Sequence, residues 1–257
     1  MMEMLHAQTC QNFEVILIDN ASSDNSREVL NQLGESSKLK CSVICNNENI
    51  GLCRAFNQGL AIATGKYVID LSPDDYFLPE KLERNFSLLE QENAKMLFSN
   101  CLIIKEDESI LHSEKYSFNY EGKGNYFFQI LASHCLASCT GVYDRRMMVA
   151  LGGYNENLAY EDFDFMTRAS LVHELVYDDL PIMEKGERNK GWSAQFGKRS
   201  SVLHESTYRI CKSLRDKCGN QVYSKAYNQR VWAELKNQLK LLNCHLVIKY
   251  MGLFIIH

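Results

Sequence analysis

Short apolar runs alternate with longer amphipathic stretches along the first hundred residues. The runs at 13–18, 41–45, 67–71 and 96–104 are too short for helices and rich in β-branched side chains, so they predict buried strands. The stretches between them carry apolar residues at helical spacing. Strands that alternate with helices in this way predict an α/β fold, with a mostly parallel sheet and helices on both faces.

Capping residues set the boundaries of the predicted helices. Ser22 or Ser23 is predicted as the N-cap of the first helix, and the turn at 49–51 opens the second. Gly65 is predicted to end that second helix as its C-terminal cap. Pro79 suits the first turn of a third helix. Each helix then separates one predicted strand from the next.

The second half of the chain is less regular. Polar and aromatic residues with two glycines fill 109–129, which we interpret as a loop-rich excursion. A helix is predicted to begin at 161–162. Long helices from about 201 to 250 follow a basic, glycine-containing segment at 185–199.

The change in composition near residue 185 divides the chain into an α/β domain at 1–184 and a basic linker with a helical extension at 185–257.

The chain carries 28 Lys and Arg against 32 Asp and Glu, a net charge of −4, which argues against a general nucleic-acid-binding protein. It has no run of about 20 apolar residues and no secretory signal at its start, so we expect a cytoplasmic protein.

Two nucleotide-binding motifs can be excluded. The stretch at 59–67 resembles a P-loop, but five residues rather than four separate its glycines, and Tyr67 takes the position of the metal-binding Ser or Thr. Gly122 and Gly124 lack the third glycine of a dinucleotide-binding fingerprint and follow no clear strand.

Acidic residues mark the candidate site. Ligands of such sheets bind beyond the carboxyl ends of the strands, where this chain carries Asp19 and the pair Asp74 and Asp75. The pair could hold a divalent cation on a diphosphate, or it could only cap the following helix. Glu161 and Asp162 could include a general base, and the start of a helix would keep Asp162 ionised for that role. Alternatively, they could be only favourable partners of the helix dipole.

Four motifs follow one another along the chain. They are a strand with a polar turn (13–24), an Asn-rich turn (46–51) before Arg54 and Asn57, a strand with an acidic turn (65–82), and a Gly-Gly-Tyr segment (152–156) before Glu161 and Asp162. In this order they closely resemble the family 2 glycosyltransferases of the GT-A fold, over roughly residues 8–171. The resemblance implies an inverting transferase that moves one sugar from a nucleotide-diphosphate sugar to a hydroxyl acceptor. By family analogy that acceptor is a glycan or glycolipid in polysaccharide or glycolipid synthesis.

The resemblance also implies roles for single residues on the donor side. Asp19 and Asn20 fall where the family contacts the nucleotide base, and Arg54 falls where a basic residue often joins that contact. Asp74 matches the metal-binding aspartate of the D-x-D turn, with Asp75 beside it. The implied cofactor is a divalent cation, Mn²⁺ or Mg²⁺.

On the acceptor side, Asp162 matches the catalytic base of the family, and Glu161 matches its usual companion. The segment at 195–200 lacks the Q-x-x-R-W motif of processive members, which favours a single addition.

Two departures from the family pattern leave an alternative open. Ser72 replaces the first aspartate of the D-x-D turn, and the strand that family members usually have before the position of Gln8 is absent. The chain could therefore be a weakly active or inactive remnant that binds a nucleotide or a partner protein. A nucleotidyltransferase would need a glycine-rich, basic N-terminal loop, which we do not find.

The C-terminal residues suggest a further contact. Six apolar residues accompany Lys249 there and could form a tail that docks on membranes, near the basic segment at 185–199. A helix packed on the domain or against a dimer partner fits them equally well. The six are Leu246, Val247, Met251, Leu253, Phe254 and Ile255.

Overall fold

The computed structural model describes residues 1–105, 110–113, 120–133, 136–187, 197–199, 201–218 and 221–255. Its helices are α1 (Met2–His6), α2 (Ser26–Ser36), α3 (Leu52–Ile62), α4 (Lys81–Gln91), α5 (Phe127–Ser133), α6 (Arg145–Ala150), α7 (Glu161–Ser170), α8 (Val202–Leu214), α9 (Gln221–Lys240) and α10 (Cys244–Met251). Its strands are β1 (Glu14–Asp19), β2 (Lys40–Cys45), β3 (Tyr67–Val68), β4 (Asp75–Phe77), β5 (Met96–Lys105), β6 (Ile110–Ser113), β7 (Gly122–Gly124), β8 (Val142–Asp144) and β9 (Leu175–Glu187).

The strands form two sheets rather than one. β1 and β2 make a parallel pair, and the other seven strands form a sheet of order β3-β8-β5-β9-β4, with β6 beside β5 and β7 beside β9. Among the described strands of this larger sheet, β5 and β9 run parallel and the other pairs run antiparallel. The predicted α/β class is confirmed, but the sheet is mixed rather than mostly parallel, because short antiparallel strands that gave no clear sequence pattern join it.

Side-chain hydrogen bonds shift two of the predicted helix boundaries. The carboxylate of Asp19 accepts the N–H of Ser22 at 3.2 Å and holds a turn there, so α2 begins only at Ser26, with Asn25 as N-cap. The predicted serine cap is therefore wrong. The second helix does open at Gly51, whose φ of 85° suits glycine.

The end of α3 also differs from the prediction. The helix ends at Ile62, and its C-cap is Ala63 in an extended conformation rather than Gly65. The Glu14 carboxylate accepts the N–H groups of Thr64 at 2.6 Å and Gly65 at 3.0 Å. Because β1 supplies this acceptor, the backbone leaves the helix without the left-handed glycine that the sequence suggested.

Three further predictions need correction. The strand predicted at 67–71 shortens to Tyr67–Val68, and the acidic turn leads into the unforeseen strand β4 before α4 begins. Within the excursion predicted at 109–129, the described residues form β6, β7 and the start of α5. The strand at 96–104, the helix starting at Glu161 and the C-terminal helices are confirmed.

The C-terminal helices share the main hydrophobic core with the α/β domain, and β9 continues to Glu187, past the predicted domain boundary at 184. Arg230 on α9 is fully buried, with its guanidinium 4.3 Å from the ring centre of Phe163 and 3.0 Å from the Glu234 carboxylate. Phe163 follows Asp162 on α7. The extension therefore packs directly behind the predicted catalytic residue.

The predicted C-terminal tail is mostly part of this core. Leu246 and Leu253 are buried, Val247, Phe254 and Ile255 are partly buried, and Met251 is exposed. The basic segment that precedes the extension lies largely outside the described residues. Among the described helices, none combines the length and the apolarity needed to cross a lipid bilayer.

Candidate active site

The acidic turn lies where β4 pairs with β9. Asp74 is exposed in the turn, whereas Asp75 begins β4 with its side chain buried, directly opposite Lys185. Burial raises the pKa of Asp75 to about 6, and the positive charge of Lys185 opposes that rise. Gly186 lets the two strands approach, because a Cβ there would lie 3.0 Å from the carbonyl oxygen of Asp74.

Asp162 and Glu161 form the first turn of α7. The N-cap is Tyr160, and its side chain makes no capping hydrogen bond. The Asp162 carboxylate accepts the N–H of Phe163 at 2.7 Å and the hydroxyl of Ser138. Burial raises the pKa of Asp162, and these two hydrogen bonds oppose the rise.

Glu161, the neighbour of Asp162, also has a raised pKa. Burial first, and then the negative charge of Asp162, raise its pKa from 4.5 to about 8. A carboxyl with this pKa is mostly protonated at neutral pH. Glu161 is therefore suited to carry a proton beside Asp162.

Asp70 is a site residue that the sequence did not single out. Burial raises its pKa to about 6, the Tyr154 hydroxyl donates a hydrogen bond to it, and the charge of Asp162 raises the pKa further. The one signal was an aspartate in the middle of the apolar run 67–71. The Gly-Gly-Tyr segment thus reaches the carboxylates through the buried side chain of Tyr154.

Lys185 connects the two acidic parts of the site. Burial raises the pKa of both Asp75 and Asp162, and the charge of Lys185 lowers the pKa of each. A single cation is therefore near the acidic turn and near the start of α7. Sequence reasoning placed Lys185 only within a generally basic segment, because the register of β9 against β4 cannot be seen without the fold.

The motif around Arg54 contacts the Gly-Gly-Tyr segment, which the sequence did not indicate. Arg54 forms an exposed ion pair with Glu156 at 3.2 Å. Asn57 accepts the N–H of Tyr154 at 3.0 Å and donates to its carbonyl at 2.9 Å. Gly153 has φ of 67°, and a Cβ there would lie 2.4 Å from the Asn57 side-chain oxygen. This contact fixes the loop that leads into α7.

Asp19 and Asn20 hold a separate pair of loops. Hydrogen bonds from Ser22 and Arg27, the latter at 3.2 Å, keep the pKa of Asp19 low. Asn20 donates to the Asn49 side chain at 3.0 Å and accepts the N–H of Ile50 at 3.1 Å. Within the described residues no hydrogen bond or ion pair joins Asp19 or Asn20 to the carboxylates near Asp162. Their contact with a nucleotide base stays a prediction.

The carboxylates of the acidic turn are compatible with a divalent cation that substrate phosphates help to hold. No group of three or more His, Cys, Asp or Glu side chains in the described part of the chain could hold a metal alone. Mg²⁺, however, is usually bound through one or two carboxylates together with phosphate oxygens. Asp74 and Asp75 supply such oxygen ligands at one turn, Asp74 exposed and Asp75 buried.

Comparison with known proteins agrees with these motifs. The family model described as Glycosyl transferase family 2 matches residues 1–149. The amylovoran biosynthesis glycosyltransferase AmsB of Erwinia amylovora is 34% identical over 210 residues, covering 76% of this chain and 69% of AmsB. The UDP-Glc:alpha-D-GlcNAc-diphosphoundecaprenol beta-1,3-glucosyltransferase WfaP of Escherichia coli is 33% identical over 100 residues, covering 39% of each.

Several curated relatives are longer than the part they share with this chain. The matched part spans 24% to 57% of the length of three of them, WfaP included. The fold is that of the mannosyltransferase PcManGT of Pyrobaculum calidifontis, solved with GDP-Man and Mn²⁺. That comparison gives a TM-score of 0.66 at 15% identity and covers 93% of this chain and 67% of PcManGT. The likeness confirms the GT-A fold.

Proposed function

The chain belongs to glycosyl transferase family 2, and from this premise we propose that it inverts the anomeric carbon while it transfers a single sugar from a nucleotide-diphosphate donor to a hydroxyl acceptor. The observation that carries the proposal is the placement of Asp162 and Asp75 near one cation, Lys185. A base and a phosphate-facing turn in one region are what a direct displacement requires. The similarity to AmsB, an amylovoran biosynthesis glycosyltransferase, and to WfaP, which acts on a diphosphoundecaprenol-linked sugar, supports an acceptor in polysaccharide synthesis.

Asp162 is the proposed base. In a single displacement the acceptor hydroxyl attacks the anomeric carbon from the face opposite the diphosphate, and Asp162 takes the hydroxyl proton as the new bond forms. The Phe163 N–H and the Ser138 hydroxyl orient the carboxylate. A raised pKa makes an ionised carboxylate a stronger base, and Glu161, with a pKa of about 8, holds a proton beside it. We therefore assign the base to Asp162 and a hydrogen-bonding role to Glu161.

The acidic turn and Lys185 are the proposed leaving-group side. Asp74 and Asp75 would hold a divalent cation, Mn²⁺ or Mg²⁺, which when bound neutralises charge on the departing diphosphate. Lys185 adds a positive charge opposite Asp75. Because Ser72 offers a hydroxyl in place of a carboxylate, we expect weaker cation affinity than a complete D-x-D turn would give.

The nucleotide base is proposed to bind at Asp19, Asn20 and Arg54. The Asp19 carboxylate is buried and accepts hydrogen bonds from Ser22 and Arg27, so its part is to hold the loop that carries Asn20. Arg54 is exposed and ion-paired with the exposed Glu156, so a ligand can reach its guanidinium.

Calorimetry with UDP-glucose and GDP-mannose, in Mn²⁺ and in EDTA, tests the donor side. We expect binding of one donor in Mn²⁺ and at least a tenfold loss in EDTA, because the diphosphate would otherwise meet Asp74 and Asp75 uncompensated. Asp74→Asn should weaken the Mn²⁺-dependent binding, whereas Glu80→Gln, at an exposed carboxylate just beyond β4, should not. Equal affinity in Mn²⁺ and EDTA would remove the cation from the proposal.

The anomeric configuration of the product, read by proton NMR, tests inversion. A product anomer opposite to that of the donor is expected, and retention would rule out a single displacement with Asp162 as base. Donor binding without transfer to any hydroxyl acceptor and without donor hydrolysis would favour the inactive remnant instead.

A further inference from the structure

The C-terminal helices present an apolar surface to solvent. Five large side chains of α9, α10 and the turn between them are between 50% and 71% exposed. On each helix they recur at intervals of one or two turns, which places them on one stripe. We name this stripe the C-terminal face; its apolar members are Trp232, Leu239, Leu242, Ile248 and Met251.

The two helices lie side by side and antiparallel. Leu242, with φ of 54°, turns the chain between them. Beyond α10 the chain returns along α9, where the Trp232 ring lies 6.2 Å from the Phe254 ring and Asn228 hydrogen bonds to the backbone of Ile255 at 2.8 and 2.9 Å. The exposed residues of α9 and α10 therefore belong to one helical hairpin.

The fold does not need this surface for its own core. The inward sides of the same helices are already buried, with Tyr227, Val231, Leu246 and Tyr250 in the main hydrophobic cluster. Exposed residues such as Ile248 thus add nothing to packing within the chain. A contiguous apolar stripe of this kind marks an interaction surface.

The exposed charges of α9 are basic, whereas Lys249 of α10 is ion-paired with Glu205 of α8 at 3.1 Å. Residues 221–255 contain a single acid, Glu234, which is buried and paired with Arg230. Lys225, Lys236 and Lys240 are exposed on α9.

Exposed basic residues also lie beside the tip of the helix pair. Asn243 donates to the carbonyl of Arg199 at 3.4 Å, which brings the exposed Lys198 and Arg199 next to the α9–α10 turn. The face is complementary to an anionic partner. A two-fold dimer through this face would place lysines against lysines, which disfavours a second copy of the chain.

We propose that the C-terminal face docks on an anionic lipid surface. Leu, Ile and Met side chains would enter the acyl boundary, the Trp232 ring would lie at the headgroup level, and the lysines would contact anionic headgroups. The biological role of this docking rests on the proposed function. Because α9 packs against α7, docking would bring the active site close to a lipid-linked acceptor. The docking itself requires no turnover.

Vesicle co-sedimentation of the full chain tests the proposal. We expect pelleting with vesicles of phosphatidylcholine and phosphatidylglycerol, weakening at high salt, and far less pelleting with phosphatidylcholine alone. In a Trp192→Phe background Trp232 is the one remaining tryptophan, so its emission should shift to the blue on anionic vesicles. Neither readout depends on activity, so failure of docking and failure of the proposed transferase are distinguishable.

Surface variants sharpen the test without disturbing the core. The double variant Lys236→Glu/Lys240→Glu should lose about 25-fold in vesicle affinity, since each lysine near an anionic membrane contributes about fivefold. Ile248→Ser should lose roughly tenfold through lost apolar burial. Val149→Ser, at a half-exposed apolar residue on α6, is the control and should bind like the parent.

Either of two results would overturn the proposal. One is vesicle binding that is absent, or that is the same with and without phosphatidylglycerol and unchanged in these variants. The other is a dimer in sedimentation velocity that the same variants dissociate, because the face would then be a protein interface.

Discussion

Replacing Asp162 by Asn separates a catalytic base from a structural residue. The amide keeps the size of the side chain and an oxygen that can accept the N–H of Phe163, now 2.7 Å from the carboxylate. It removes only the capacity to accept the hydroxyl proton. A general base contributes about 10²- to 10⁴-fold, so turnover should fall by that factor, equivalent to about 3–5 kcal/mol in the activation barrier.

The effect on stability has the opposite sign from that of a lost helix cap. The folded pKa of Asp162 is raised, so the folded protein holds the proton more tightly than the unfolded chain does. The parent therefore loses stability as pH rises from the unfolded pKa through the folded pKa. Asn does not titrate, so above that range the variant should be at least as stable as the parent. A cap residue would instead cost about 0.5–2 kcal/mol when replaced.

The assay is nucleotide release in the presence of acceptor, together with urea unfolding at pH 5 and pH 8. Asp164→Asn is the matched control, since Asp164 is also in the first turn of α7 but is ion-paired with Arg168 at 2.8 Å. It should lower stability and leave turnover of the folded enzyme within a few-fold. Donor affinity should remain that of the parent in Asp162→Asn.

The assignment of the base is refuted if Asp162→Asn retains turnover within a few-fold of the parent. It is equally refuted if the variant loses stability at pH 8 by the amount of a helix cap, because Asp162 would then support the fold rather than the reaction.

Three other variants probe the surroundings of the site. The pKa of Glu161 is about 8 in the folded protein, so the parent loses stability as the pH rises from 4.5 to 8, and Glu161→Gln should flatten this dependence. An unchanged pH dependence of urea unfolding would contradict this. Arg230→Met should cost about 3–5 kcal/mol in urea unfolding by removing the guanidinium from the buried Glu234 carboxylate, and adding Glu234→Leu should recover most of it. A single-variant loss below about 1 kcal/mol would disprove the pairing. Gly153→Ala should lower the melting temperature more than Gly152→Ala, since both glycines have positive φ but only Gly153 would meet Asn57; equal shifts would show that backbone strain alone matters.

The sequence by itself determined the order of the elements and the motifs that carry the chemistry. Apolar runs bounded by polar turns located β1, β2 and β5, since a short buried strand consists of consecutive apolar residues. The sequence also predicted the acidic turn, the Gly-Gly-Tyr segment and the start of α7, because each is a local pattern. The family and its fold followed from their order, and both are confirmed.

Only the tertiary structure decided which of these residues meet and how their protons are held. Three-residue strands such as β4 and β8 give no period, so the antiparallel pairing that sets Lys185 opposite Asp75 was invisible along the chain. The raised pKa values of Asp70, Glu161 and Asp162 depend on desolvation by side chains distant in sequence. Local residues specify elements, whereas burial and charge at the site are sums over neighbours that only the folded chain brings together.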